Sequence, residues 1–283
     1  MHIRPLAAAD RPAIEDLCGA TPEWDIFLLA NLDQLAGDGS FVQYWGQFDD
    51  AGRMAAALMR YHVLWYVHVG PGADLRALAG VIETQGQPNI VLNEGGVEAL
   101  QLGPLLAKHR LDLELSGRLR RLWAGDAVAA DADNLRRPQP EPAARYDLLA
   151  RRATQEDVDR LAAFYADAPE DVRRGRASLR RSVEGGRRTF LAEKGNAITA
   201  CALTTAELPS VAMVGGLFAV PEGEREEHLG FALRGLVGSL GAEGKDACVV
   251  SRDAWIDAVL DGLGFDVLGP WWMLHMSGPS RTA

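Results

Sequence analysis

The strongest constraint in this sequence is that it opens twice in the same way. Arg4, Asp10, Ile14 and Leu17 recur at one constant offset as Arg151, Asp157, Leu161 and Phe164, a spacing of basic, acidic and apolar positions that implies duplication. In each copy a short extended run, His2 to Leu6 or Leu148 to Arg152, leads into a helical pattern. The acidic first turn of that helix suits the positive end of its dipole. A chain of 283 residues is also long for one core, because single cores stop growing at about 250–300 residues. Between the copies, residues 126 to 144 carry Pro138, Pro140 and Pro142 in an Ala- and Asp-rich run, too poor in large apolar side chains to join a core. The expected division is a first domain at 1–125, a linker at 126–144 and a second domain at 145–283.

Strands dominate after each opening. Val42 to Phe48, Met54 to Arg60 and Val63 to Val69 read as the strands of a meander in the first half. Thr189 to Glu193, Ala197 to Thr205 and Val211 to Val220 repeat it in the second, with Lys194-Gly195-Asn196 as a hairpin turn. The period then changes. Leu229, Leu233, Leu236, Val237 and Leu240 form one helical stripe between Arg225 and Glu243. A strand at Ala247 to Ser251, a helix at Asp253 to Gly262 and two last strands, Phe265 to Leu268 and Trp271 to Met276, complete the order around Gly269-Pro270. A meander followed by β-α-β-α-β predicts an α+β fold, a mixed and mostly antiparallel sheet flanked by helices in each half.

Composition limits the partners. A net charge of −10 opposes a polyanion such as nucleic acid. Arg173, Arg174, Arg176, Arg180, Arg181, Arg187 and Arg188 crowd one segment, which reads either as a phosphate contact or as a solvated helix face. No apolar run is long enough to span a membrane and the start lacks a signal-peptide pattern, so a cytoplasmic protein without membrane partners is expected. Cys18, Cys201 and Cys248 lie far apart in apolar stretches, and the six histidines show no paired spacing; buried thiols and no metal are expected.

Four patches of the second half carry a likeness to a known superfamily. They are Arg151-Arg152-Ala153-Thr154-Gln155-Glu156-Asp157, Val214-Gly215-Gly216-Leu217-Phe218-Ala219-Val220-Pro221-Glu222, Gly230-Phe231-Ala232 and Leu263-Gly264-Phe265. With the element order, residues 145 to 276 resemble the GNAT (GCN5-related N-acetyltransferase) superfamily. The first half, through Trp24-Asp25-Ile26-Phe27-Leu28-Leu29-Ala30-Asn31-Leu32-Asp33, is similar to the degenerate amino-terminal half of two-domain GNAT proteins with an FR47-like second half. Its nearest counterpart of a cofactor loop, Val69-Gly70-Pro71-Gly72-Ala73-Asp74-Leu75, reads as a plain turn.

The resemblance implies an acetyl-CoA donor whose pantetheine arm lies along Phe218, Ala219 and Val220. Its pyrophosphate would meet the helix start at His228, Leu229, Gly230, Phe231 and Ala232, where free amides and the dipole favour an anion. The family's basic residue at the head of that motif aligns with Glu227, which weakens phosphate binding. Glu224, Glu226 and Glu227 equally serve as ordinary first-turn acids, and His228 reads either as a partial offset to Glu227 or as a surface residue. Leu260 stands where the family often has a tyrosine acid, so Ser251 is the nearby proton donor and Glu207 the nearest carboxylate base, although Glu207 also reads as a solvated turn. The expected activity is acetyl transfer from acetyl-CoA to a small-molecule or peptide amine by direct attack. The alternative is a GNAT-fold binding module without turnover. Neither the amine nor the oligomeric state is legible.

Overall fold

The computed structural model describes residues 1–36, 41–62, 64–85, 89–92, 109–127, 148–170 and 172–279. Most of the expected linker, from residue 128 on, lies outside them. In chain order the elements are β1 (His2–Pro5), α1 (Arg11–Cys18), α2 (Ile26–Ala30), β2 (Val42–Phe48), β3 (Met54–Tyr61), β4 (Leu64–Val69), α3 (Leu75–Gln85), β5 (Asn89–Leu92) and β6 (His109–Leu122). The chain continues with β7 (Leu148–Arg152), α4 (Val158–Phe164), α5 (Arg176–Glu184), β8 (Thr189–Lys194), β9 (Ala197–Glu207), β10 (Val211–Ala219), α6 (Arg225–Gly241), β11 (Asp246–Ser251), α7 (Ala254–Gly262) and β12 (Asp266–Pro279).

Two compact units result: Met1–Arg118 with Gly269–Ala283, and Leu119–Leu268. Relative to the linear division at 1–125 and 145–283, the units exchange chain segments. The end of β6 joins the second unit and most of β12 joins the first. In the first unit the strand order is β1-β2-β3-β4-β5-β12, antiparallel except for the parallel pair β4/β5. In the second it is β6-β11-β10-β9-β8-β7, with β10/β11 parallel. In both, a helix connects the parallel strands, α3 in one and α6 in the other, as a parallel crossover requires.

The repeated opening has a shared physical cause. Arg4 grips Asp10 with two bonds of 2.8 and 2.6 Å, and Arg151 grips Asp157 at 2.7 and 2.6 Å. Each carboxylate also accepts the amide three residues back, Ala7 or Thr154, at 2.9 Å, so it pins the turn ahead of its helix. Ile14 and Leu161 then bury completely. The second copy adds Glu193 and Arg160 to the cluster.

The second core is built on the stripe of α6. Leu229, Leu233, Leu236, Val237 and Leu240 are all buried. A Cβ on Gly235 would stand 2.7 Å from Phe190 of β8, so the glycine sets how closely this helix packs on its sheet. One element departs from expectation: Gly269-Pro270 does not divide two strands, and β12 runs through it. Gly269 serves contact, not a turn, because a Cβ there would lie 3.2 Å from the ring of Trp24. All three cysteines are buried and outside any disulfide, and burial pushes Cys201 up to about 12. No helix among the described residues is long and apolar enough to cross a membrane.

Candidate functional site

The candidate site lies where β10 leaves its parallel neighbour. Their ladder runs from Val211↔Asp246 to Val214↔Val249, while β10 continues to Ala219 and β11 to Ser251. On its other edge β10 is bulged: the partner of Gly215 is Leu203 but the partner of Phe218 is Cys201, so three steps on one strand match two on the other. Gly216 makes this possible with φ of +60°, and a Cβ there would sit 3.0 Å from Leu203. Tyr165 of the loop after α4 is fully buried and donates its hydroxyl to the Gly216 carbonyl. Burial, reinforced by the neighbouring Cys201, holds that phenol well above its usual range, so it stays a neutral donor that props the bulge. The bulge was announced by two adjacent glycines within a strand; nothing in the sequence pointed to Tyr165.

Phe218 and Ala219 therefore lie on the stretch of β10 that runs past its ladder with β11, and Val220 follows directly after the strand. The ring of Phe218 turns away to pack on Phe164 at 5.0 Å and Tyr165 at 6.1 Å, which leaves main chain, and not an aromatic face, to the cleft. The first unit differs at the equivalent place. Its β3/β4 register shows no shift from Ala56↔Val69 to Tyr61↔Leu64.

The helix after β10 begins where the apolar stripe predicted, ahead of the Gly230-Phe231-Ala232 turn at which the resemblance set the anion site. The first residue of α6 is Arg225, so Leu229, Gly230, Phe231 and Ala232 lie past the first turn, where each amide has a carbonyl four residues back within the same helix. The first two residues of α6, Arg225 and Glu226, have amides at the helix start with no carbonyl four residues back in this helix. Gly230 is not required by crowding, because a Cβ there would meet only Arg234 and Val259, both at 3.9 Å. The preceding Glu224 does not cap the helix with its side chain. In the first unit the corresponding start of α3 is closed, since the Asp74 carboxylate accepts the amides of Arg76 and Ala77 at 3.1 Å each.

His228 is not a surface residue. It is 3% exposed, with Nδ1 3.0 Å from the Val220 carbonyl and Nε2 3.1 Å from Glu224. It thus ties the end of β10 to the turn before α6 and fills the room beneath that turn. Lys194 also bonds Glu224 at 3.0 Å; this bond, the lysine charge and His228 hold that carboxyl below its ordinary range. Arg225 lies over the ring of Trp255 at 4.6 Å, bringing the starts of α6 and α7 together.

The expected acid and base fare differently. Ser251 ends β11 at the cleft end of the sheet, is 5% exposed, and accepts the Asp253 amide at 3.3 Å. Glu207 sits at the other end, opposite Ala212 near the start of β10. It accepts Thr204 Oγ1 at 2.7 Å, Lys245 at 3.0 Å and Arg188 at 3.3 Å. Burial opposes its ionisation, but those bonds and charges outweigh it and keep the carboxyl low, so Glu207 is a structural anion and not a base for this cleft. Leu260 is wholly buried in the core and offers no proton. Of the arginine cluster, Arg188 is spent on Ser239, Glu207 and Glu243, Arg176 on Asp159, and Arg173 on the Ala168 carbonyl.

Two mixed sheets flanked by helices, one of them with a bulged strand that outruns its parallel neighbour above an uncapped helix start, define a tandem GNAT-like fold. Solved structures agree over nearly the whole chain. A tandem GNAT protein from the clavulanic acid biosynthesis pathway superposes with a TM-score of 0.61 at 18% identity, covering 99% of each chain. A Drosophila protein gives 0.66 at 14% identity, covering 97% of this chain and 98% of its own. A GCN5-related N-acetyltransferase from Kribbella flavida gives 0.56 at 16% identity, over 80% of this chain and 88% of its own. At such identities the likeness is one of fold. No family model and no curated protein matches the sequence.

Proposed function

We propose that the second unit binds acetyl-CoA and transfers its acetyl group to an amine. The observation that carries this reading is the end of the β10/β11 ladder at Val214↔Val249 directly ahead of an uncapped helix start. Main chain at Phe218, Ala219 and Val220 would receive the pantetheine arm as an added strand. The amides of Arg225 and Glu226 would receive the pyrophosphate, one turn before the Gly230 region that the resemblance suggested. In the transfer, amine nitrogen attacks the thioester carbonyl, the new C–N bond forms, the C–S bond breaks, and the thiolate takes a proton. Ser251 accepts the Asp253 amide and keeps its own O–H, which would hydrogen-bond the departing thiolate while the proton itself comes from solvent. With Glu207 committed elsewhere, solvent takes the amine proton. The acidic surface favours a cationic acceptor among small-molecule or peptide amines.

A second reading is favoured by Leu260 in the core and by Glu226 and Glu227 on the phosphate turn: a binding module that keeps the fold without turnover. Thermal melting with CoA and acetyl-CoA, followed by thiol release with a panel of amines, separates them. Binding at a concentration near a hundred times Kd stabilises the fold by about 2.7 kcal/mol. A shift with release supports the enzyme, a shift without release a CoA-binding module, and no shift at millimolar CoA removes both catalysis and cofactor binding and leaves an interaction module.

A further inference from the structure

The first unit gathers three ligand types that sequence spacing keeps apart. Cys18 ends α1, Asp25 immediately precedes α2, and His68 lies on β4. One ligand atom from each lies within 4.8 Å of the other two. Cys18 is 0% and Asp25 2% exposed, and His68 Nδ1 stands 2.8 Å from Asp25 Oδ2. Asp25 occupies the N-cap position of α2 yet makes no side-chain cap bond there; its carboxylate is turned to the cluster instead. Burying a carboxylate is costly unless cationic or donor groups surround it.

We propose that Cys18, Asp25 and His68 form a binding site for a divalent cation of the zinc class in the first unit. Sulfur, imidazole nitrogen and carboxylate oxygen together suit Zn²⁺ and argue against Ca²⁺ or Mg²⁺, which take oxygen ligands. Bonds of about 2.0–2.3 Å place tetrahedral ligand atoms roughly 3.3–3.8 Å apart, so modest side-chain rotation closes the triangle. The 2.8 Å contact of His68 with Asp25 is shorter than that, and an ion held by these two atoms would replace it. Metal–sulfur bonding releases the Cys18 thiol proton to solvent. Asp25 also lines a small cavity with Trp24, Phe27, Tyr66 and Trp271, from which a water would fill the fourth position.

The untagged full chain, stripped with a chelator and titrated with Co²⁺, tests the site. One equivalent is expected, with a thiolate-to-cobalt charge-transfer band that Zn²⁺ abolishes. Cys18→Ala, Asp25→Ala and His68→Ala should each weaken binding by more than ~100-fold, beyond the usual effect of losing a group that only orients a ligand. His2→Ala, in the same unit, should leave the titration unchanged. Absence of the band in the folded wild-type chain, or an unaltered titration in folded Cys18→Ala, overturns the assignment. Should the variants lose their circular dichroism, X-ray absorption of the zinc-loaded wild type decides. One sulfur in the first coordination shell supports the site, and a shell of nitrogen and oxygen alone refutes it.

Discussion

At the scale of single residues, the two copies of the opening ion pair are built alike and buried unequally. The Asp157 side chain is 4% exposed and answers to two arginines, whereas that of Asp10 is 14% exposed and answers to one. Asp157→Ala should therefore cost about 2 kcal/mol, because it strips the Thr154 amide of its acceptor and two half-exposed arginines of a buried partner, and Asp10→Ala distinctly less; urea unfolding of each variant measures the difference. Hydrogen bonds from Arg151 and Arg4, the largest cause in each case, hold both carboxyls below their ordinary values despite burial. For depressed carboxyl pKa values the stabilisation is present above the unfolded value of about 3.9 and is lost as pH falls through the folded ones. Melting temperature should thus stay level between about pH 7 and 5 on account of these groups and fall below about pH 4.

At the scale of elements, the bulge of β10 and the start of α6 set the cleft. Gly216→Ala places a side chain at φ of +60° against Leu203 and the Tyr165 hydroxyl. A loss of about 1–3 kcal/mol is expected from the strained backbone, and CoA-induced stabilisation should fall with it. Opposite in sign is the effect of neutralising the turn: Glu226→Gln and Glu227→Gln remove charges that compete with a phosphate for the positive helix end. Each should tighten CoA binding roughly two- to fivefold at low salt, as read by calorimetry. If affinity stays level in both, the pyrophosphate is not at this turn.

At the scale of the whole molecule, the last strand belongs with the first unit. Trp271 stacks on Trp24 with ring centroids 5.9 Å apart, Leu274 is 3% exposed in the core with Trp65 and Ile90, and β12 pairs with β5 from Trp272↔Leu92 to His275↔Asn89. A chain stopped after Leu268 should consequently lose the fold of Met1–Arg118 while its own deleted segment lies far away in sequence. Limited proteolysis should show cuts in β2 to β4 that the full chain resists. A protected amino-terminal half in the truncated chain would contradict the assignment.

Much of this protein was written locally. The apolar runs of Val42–Phe48 and Val211–Ala219, the stripe from Leu229 to Leu240 and the paired Arg and Asp of the openings each depend on neighbours within a few turns or one strand, so the sequence alone determined the duplicated α+β plan. Other features needed the assembled chain. The burial of His228 depends on where β10 ends relative to α6, the exile of Glu207 on which end of β9 parts from the cleft, and the convergence of Cys18, Asp25 and His68 on how two helix ends meet one strand. Strand register and long-range packing decide those distances, and neither leaves a periodic trace in the order of residues.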